Sequence, residues 1–345
     1  MKSYLFKAVK ALFWSAGVWL LVSGCSAGTS NTISERDEAP MTVVERHGQL
    51  TVQGVALHNQ HGQPLVLRGV SLGWHNWWPR FYHKETVGWL AQDWDISVIR
   101  AAIGVGPDGS YLDNPAFALE CLYQVVDAAI AEGIYVIVDW HSHEIHTDEA
   151  KDFFKTIATK YQEYPNVIYE IYNEPVEDSW AEVKHYAEEI IAEIRMINST
   201  AIILVGCPHW DQDIHLVAED PIQGYDNIMY TVHFYAATHK QDLRDRTDKA
   251  MAKGIPVFIS ECAGMEATGD GPVNHEEWQS WVSWMADRNI SWVAWSIADK
   301  NETCSMIRDP EAPRAVWADE DLKEWGKTVR NELNKRNKTE HTHNE

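Results

Sequence analysis

From residue 65 onward the chain alternates between two patterns. Short runs rich in Val, Ile, Tyr and Phe read as buried strands at 65–70, 97–103, 135–140, 167–173, 202–206, 228–235, 256–261 and 292–297. Between them, apolar residues recur at three- and four-residue spacing, as in Val183, Ala187, Ile190, Ile191 and Ile194. That spacing predicts amphipathic helices over 119–132, 151–161, 180–196, 241–253 and 276–288, with 322–333 closing the pattern. Strand then helix, eight times in roughly 270 residues, predicts an α/β fold of the (β/α)8 TIM barrel type. A doubly wound open sheet is the alternative, but no Gly-rich phosphate loop follows any strand. Ahead of the barrel, apolar residues alternate around Gly48, Gly54 and Gly62, which predicts a short N-terminal β-hairpin cap.

The ends of the chain follow other rules. Residues 1–25 have a basic start (Lys2, Lys7, Lys10), an apolar stretch at 11–22 and small residues just before Cys25. This resembles a bacterial lipoprotein signal, cleaved before Cys25 and lipidated on it; an ordinary secretory signal is the plainer alternative. Ser26, in place of Asp, permits sorting to the outer membrane. The expectation is an exported protein held to a membrane surface by its lipid alone, or otherwise secreted. Residues 26–40 are polar and charged and read as a flexible tether, 41–333 as the barrel, and 334–345 as a disordered tail.

Composition narrows the partners. The net charge of −22 over 345 residues argues against nucleic acid. Seventeen Trp is an unusual number; Trp can fill a core, but exposed Trp faces also stack on sugar rings. Four cysteines follow Cys25. Cys121 and Cys207 read as buried thiols, whereas Cys262 and Cys304 lie in adjacent strand–helix units and are expected to bridge. No cofactor motif is present and the cysteine spacing matches no zinc pattern, so no cofactor or metal is expected, and a monomer is expected.

The chemistry lies at the strand ends. A barrel of this type carries its site at the C-terminal ends of its strands. Read in order, those ends supply Arg100, Trp140 and His141, Asn173 and Glu174, His233 and Tyr235, Glu261, and Trp295. Two glutamates ending apolar runs suggest a facing pair of carboxyls, the arrangement that cleaves a glycosidic bond.

At this point a resemblance becomes specific. The segments Ile171-Tyr172-Asn173-Glu174-Pro175, Val232-His233-Phe234-Tyr235, Phe258-Ile259-Ser260-Glu261-Cys262 and Trp295-Ser296-Ile297-Ala298-Asp299-Lys300 resemble the signatures of glycoside hydrolase family 5. Its bacterial endo-β-1,4-glucanase branch is the nearest in pattern. The resemblance implies a retaining hydrolase acting on a β-1,4-linked polysaccharide such as cellulose. It implies Glu174 as acid then base, Glu261 as nucleophile and Asn173 on the sugar 2-hydroxyl. Arg100 and Tyr235 would contact Glu261, His233 would contact Glu174, and His141, Trp295 and Lys300 would contact sugar. Arg100 is expected to favour the ionised Glu261, and repulsion from Glu261 to raise Glu174. The first loop, Ser71 to Pro79, departs from the pattern; Trp77 or Trp78 is expected to stack on sugar, and His75 has no clear counterpart.

Two rivals remain at this stage. His141-Ser142-His143, with Glu144 and His146 nearby, has the look of a metal-ligand cluster in a metallohydrolase. A Trp-rich lipoprotein that captures glycans without cutting them is the other. The choice among cellulose, mixed-linkage glucan, xyloglucan and mannan stays open.

Overall fold

The computed structural model describes residues 41–308 and 316–341. The expected signal with Cys25, the tether at 26–40 and residues 342–345 of the expected tail lie outside the described residues.

A short helix, α1 (Val43–His47), leads into a hairpin of β1 (Thr51–Gln53) and β2 (Ala56–His58). Eight strand–helix units follow. They are β3 (Arg68–Leu72) with α2 (Lys84–Asp93), β4 (Val98–Gly104) with α3 (Pro115–Glu132), β5 (Tyr135–His141) with α4 (Thr147–Tyr161), and β6 (Val167–Glu170) with α5 (Trp180–Ile197). Then come β7 (Ile203–Val205) with two single turns, α6 (Pro208–Asp211) and α7 (Ile214–Val217), and β8 (Ile228–Tyr235) with α8 (Gln241–Ala252). Last are β9 (Val257–Ala263) with α9 (His275–Asp287) and β10 (Trp292–Ile297) with α10 (Glu324–His341). The strands close a barrel in the order β10-β3-β4-β5-β6-β7-β8-β9, every pair parallel.

Alternation along each strand separates two interiors. Ile99, Ala101 and Ile103 of β4, and Val136 and Val138 of β5, pack against the helices. The intervening Val98, Tyr135 and Ile137 fill the barrel with Ile168, Leu204, Met229, Phe258 and Val293. Leu50 and Leu57 from the hairpin join that inner cluster, and Tyr135 donates to the Gly48 carbonyl at 2.6 Å. The predicted hairpin therefore plugs the N-terminal end of the barrel. Higher up, the same inward positions carry Arg100, Asp139, His141 and Glu170, all buried. One end is apolar and closed, the other polar and open.

The helices follow the sequence pattern closely. α5 starts at a capping box between Ser179 and Glu182, and buries Val183, Ala187, Ile190, Ile191 and Ile194. Burial of each Ile or Val on such a stripe is worth about 1.5–3 kcal/mol.

Four expectations need correction. The first barrel strand starts at Arg68 rather than residue 65, because Leu65 donates to Leu57 of the hairpin and Leu67 to Ser291. The ladder of β6 stops at Glu170, short of 173. The chain then swings across the mouth: Ile171 N bonds to Leu204 O of β7, Asn173 N to Trp140 O of β5 and Glu174 N to Ser142 O. The expected disordered tail is helical through His341, since Trp325, Val329 and Leu333 anchor α10 and a nucleated helix propagates cheaply. Finally, Cys262 and Cys304 are both free thiols, as are the buried Cys121 and Cys207. Cys262 alternates with Glu261, so it faces the helices and donates to Val293 O, while Cys304 lines the open mouth. Among the described residues no helix is long and apolar enough to cross a membrane.

Candidate active site

Arg100 is the centre of the polar end. Its guanidinium is fully buried, with Nε 2.6 Å from Glu170 Oε2, Nη1 3.0 Å from Glu261 Oε2, and Nη2 2.6 Å from Asn173 Oδ1 and 3.0 Å from Asp139 Oδ2. Burial opposes its charge, but the three carboxylates overcome that and raise its pKa further. Such a hub fixes the angle of every group it touches.

One of those groups, Glu261, faces a second carboxylate, Glu174, that Arg100 does not touch. Glu261 Oε2 is held by Arg100, and Oε1 accepts from the Tyr235 hydroxyl at 2.8 Å. Glu174 Oε1 accepts from His233 Nδ1 at 2.9 Å, and Oε2 from His143 Nε2 at 3.3 Å. One oxygen of Glu174, one oxygen of Glu261 and one nitrogen of His233 lie within 4.8 Å of one another. The two carboxylates thus face each other across the mouth.

His233 is fixed from behind. Its Nε2 lies 2.9 Å from Ser260 Oγ, 3.3 Å from Asp211 Oδ2 and 3.7 Å from Glu170 Oε1. Burial works against its charge, but Asp211, Glu170 and Glu174 outweigh it and raise the imidazole well above its usual range. Asp211 sits at the end of a strained turn: His209, Trp210 and Asp211 all have positive φ, at 61°, 52° and 57°. The turn is held by Cys207 N donating to Asp211 Oδ1 at 2.6 Å, by Thr231 Oγ1 on Oδ2 at 2.5 Å, and by Trp210 N on Pro175 O. Trp210 is left exposed beside His233 and Tyr235.

The site residues read from the sequence converge here. His141 Nδ1 donates to Asp139 Oδ2 at 2.6 Å, and its ring lies parallel to Trp295 at 5.3 Å. Burial and the Arg100 charge hold His141 far below its usual pKa. Trp77 and Trp78 line the cleft, Trp77 at 48% exposure, and Trp74 stacks on Trp77 at 4.8 Å. Lys300 lines the same wall and pairs with Glu302 at 2.5 Å. Trp140 points the other way, into the core against Tyr111 and Phe153. His75 is buried and accepts from Gly104 N at 3.0 Å; burial brings it down to about 4, so it serves the loop rather than the sugar.

A cleft with facing carboxylates, an Arg hub and a tryptophan wall calls for comparison with known proteins. The model of the family described as cellulase, glycosyl hydrolase family 5, matches residues 58–301. The chain belongs to glycosyl hydrolase family 5.

Among relatives of this family 5 hydrolase, Endoglucanase Z of Dickeya dadantii is 46% identical over 243 residues, covering 69% of this chain and 57% of that protein. An endoglucanase of Clostridium saccharobutylicum is 39% identical over 302 residues, covering 86% of this chain and 67% of that protein. The chain thus spans between about half and two thirds of these relatives' lengths. A solved structure from Cytophaga hutchinsonii superposes with a TM-score of 0.85 at 43% identity, covering 88% of this chain and 99% of that one. The catalytic domain of Thermobifida fusca endoglucanase Cel5A gives 0.81 at 33% identity, covering 85% of this chain and all of that one.

Several groups of the site escaped the sequence reading. Asp139 and Glu170 looked like interior strand residues; only strand alternation, counted inward from Arg100, marks them as facing the mouth. Asp211 lies in a turn and Trp74 in a loop of uncertain register, and nothing local singles out either. His143 read as a metal ligand, but it bonds to Glu174, and His141 bonds to Asp139. Among the described residues, the one group of side chains close enough to share a metal ion is Glu174, His233 and Glu261.

The expected charge pattern is reversed in the free site. Burial raises Glu174, but hydrogen bonds from His143 and His233 outweigh it and bring the carboxyl to about 2. Burial, then the facing Glu174 charge, raises Glu261 despite His233, Arg100 and Tyr235. The residues not foreseen bear on the same groups: Asp139 and Glu170 share the Arg100 charge, and a second imidazole sits on Glu174.

Proposed function

We propose that this hydrolase is a retaining endo-β-1,4-glucanase, with Glu174 as acid then base and Glu261 as nucleophile. The observation that carries the mechanism is the approach of one Glu174 oxygen to within 4.8 Å of one Glu261 oxygen. Carboxyls about 5–5.5 Å apart leave no room for a water beneath the sugar, so one of them must attack the anomeric carbon.

In the first step Glu261 attacks from below while Glu174 protonates the departing oxygen. The bond to the leaving sugar breaks as the Glu261–sugar ester forms. Asn173, aligned by Arg100, is placed to meet the 2-hydroxyl, a contact that strengthens in the transition state. Esterification removes the Glu261 charge. Glu174 then takes a proton from water, which attacks the same carbon and releases Glu261. His141 and Trp295, stacked together, form the floor under the sugar.

The cleft supports endo action on a neutral polymer. Walls run from Trp74, Trp77 and Trp78 on one side of the glutamates to Trp210, His209 and His239 on the other. A variant of the Thermobifida fusca domain has been solved with cellotetraose, at 33% identity and a TM-score of 0.80 to this chain. A linear β-1,4-glucan is the substrate proposed here, and a lipid on Cys25 the means of attachment outside the cell.

The direct test is the anomer formed first. NMR of fresh cello-oligosaccharide digests is expected to show β-product. An initial α-anomer would overturn the nucleophile. Activity is expected to survive a chelator; its loss would favour a metal held by Glu174, His233 and Glu261.

A further inference from the structure

The two oxygens of Glu174 are not equivalent. Oε1 is committed to His233, which is buried and fixed by Ser260 and Asp211. Oε2 is the oxygen left for a substrate in the cleft, and there it accepts from His143 Nε2 at 3.3 Å. His143 comes from the loop after β5, and its side chain is 41% exposed.

The imidazole stands on the partition between two clefts. On one side is the cleft of Trp74, Trp77 and Glu261; on the other is a side cleft lined by Gly106, Pro107 and His146. Its ring rests 5.8 Å from Trp74 and 6.2 Å from His141. No other hydrogen bond of the His143 side chain is present among the described residues, so rotation toward the side cleft breaks one hydrogen bond.

We propose that His143 is a positioning residue for the reaction, occupying the working oxygen of Glu174 in the free enzyme and yielding it to the glycosidic oxygen of a bound glucan. This rests on the reading of Glu174 as the acid.

The chemistry explains why such a residue is useful. While His143 donates to Oε2, Glu174 is kept ionised, which is the wrong state for an acid. The imidazole also faces Glu261 and His233 across the mouth, His141 beside it, and Glu144 and His146 on its own loop. Glu174 and Glu261 favour its protonated form, and burial and His233 oppose it, with a net upward shift. An arriving sugar excludes water and separates the pair. Burial, already the largest single influence on Glu174, then favours its neutral form. The proton in line is the one on His143: its Nε2–H bond breaks, the electron pair stays on nitrogen, and Oε2–H forms.

Two variants and two substrates test this. His143→Phe keeps a ring against Trp74 but removes the donor, and His143→Gln keeps a donor that cannot titrate. The readout is kcat/KM against pH, which reports the free enzyme. On an unactivated cello-oligosaccharide, His143→Phe is expected to move the alkaline limb down by about one pH unit, because the imidazole that stores the proton for Glu174 is gone. His143→Gln is expected to move it at least as far in the same direction, since its donor still favours ionised Glu174 and carries no titratable proton. On an aryl cellobioside with a good leaving group, which needs little acid help, neither variant shifts the limb. Limbs that coincide with wild type in both variants, or equal shifts on both substrates, overturn the proposal. A wild-type enzyme that cleaves neither substrate overturns the underlying function as well.

Discussion

Arg100 holds Glu170 more closely than it holds Glu261: 2.6 Å from Nε to Glu170 Oε2, against 3.0 Å from Nη1 to Glu261 Oε2. The guanidinium therefore spends part of its charge on a carboxylate that never meets substrate. Glu170→Gln should return that charge to Glu261 and remove a nearby negative group. Both effects lower the Glu261 pKa, so the acid limb of kcat/KM should move to lower pH; an unmoved or raised limb would count against the shared-charge account. Glu170→Ala, which leaves the buried Arg100 short of a partner, should cost about 3–5 kcal/mol in denaturant unfolding.

Azide separates the roles of the two glutamates. Glu174→Ala should lose most activity on glucan yet recover part of it with azide on a substrate with a good leaving group, giving a β-glycosyl azide. Glu261→Ala with azide should give the α-azide, because the small anion takes the place of the missing carboxylate. NMR of each product checks the assignment, and exchanged configurations would reverse it.

Glu261 should also cost the folded enzyme stability. Its pKa is raised by burial and by Glu174, so its ionised form is disfavoured in the native state. A raised carboxyl gives stability that is full below the unfolded pKa, about 4.5, and is lost as pH rises through the folded value. Glu261→Gln mimics the protonated form at every pH. It should be inactive yet about 1 kcal/mol more stable at pH 7, with the gain fading below pH ~4. Glu174 behaves oppositely: with its carboxyl at about 2, its contribution is present above 4.5 and lost as pH falls toward 2. Thermal melts across pH distinguish the two, and a destabilised Glu261→Gln at pH 7 would refute the first.

The anchor is tested in cells. Cys25→Ser should move the protein from the membrane fraction to the soluble one with specific activity unchanged. Wild-type protein found wholly soluble in its host would rule out lipidation.

Much of the barrel could be read from the chain because strand and helix each impose a period, and the periods alternate. The residues closing the strands were legible for the same reason: Glu174, His233, Tyr235 and Glu261 break apolar runs where a barrel places its chemistry. Asp139 and Glu170 were not, since a polar residue inside an expected strand is conspicuous only once its direction is known. Asp211 and His143 depend on long-range contacts, to His233 and Glu174, that no local pattern encodes. The Cys262–Cys304 bridge failed on direction as well: adjacency of two units says nothing about which face each sulfur takes.

Asp211 links the exposed Trp210 turn to His233, and His233 holds Glu174. The exposed Trp210 and the carboxylate proposed as the acid therefore share an anchor. Any evolutionary change that reshapes that turn for a bulkier leaving group also reaches the acid, so affinity on that side and pH optimum drift together. The wall of Trp77 and Trp78 has no hydrogen bond to either glutamate among the described residues. Substrate range can diversify there while the chemistry stays constant.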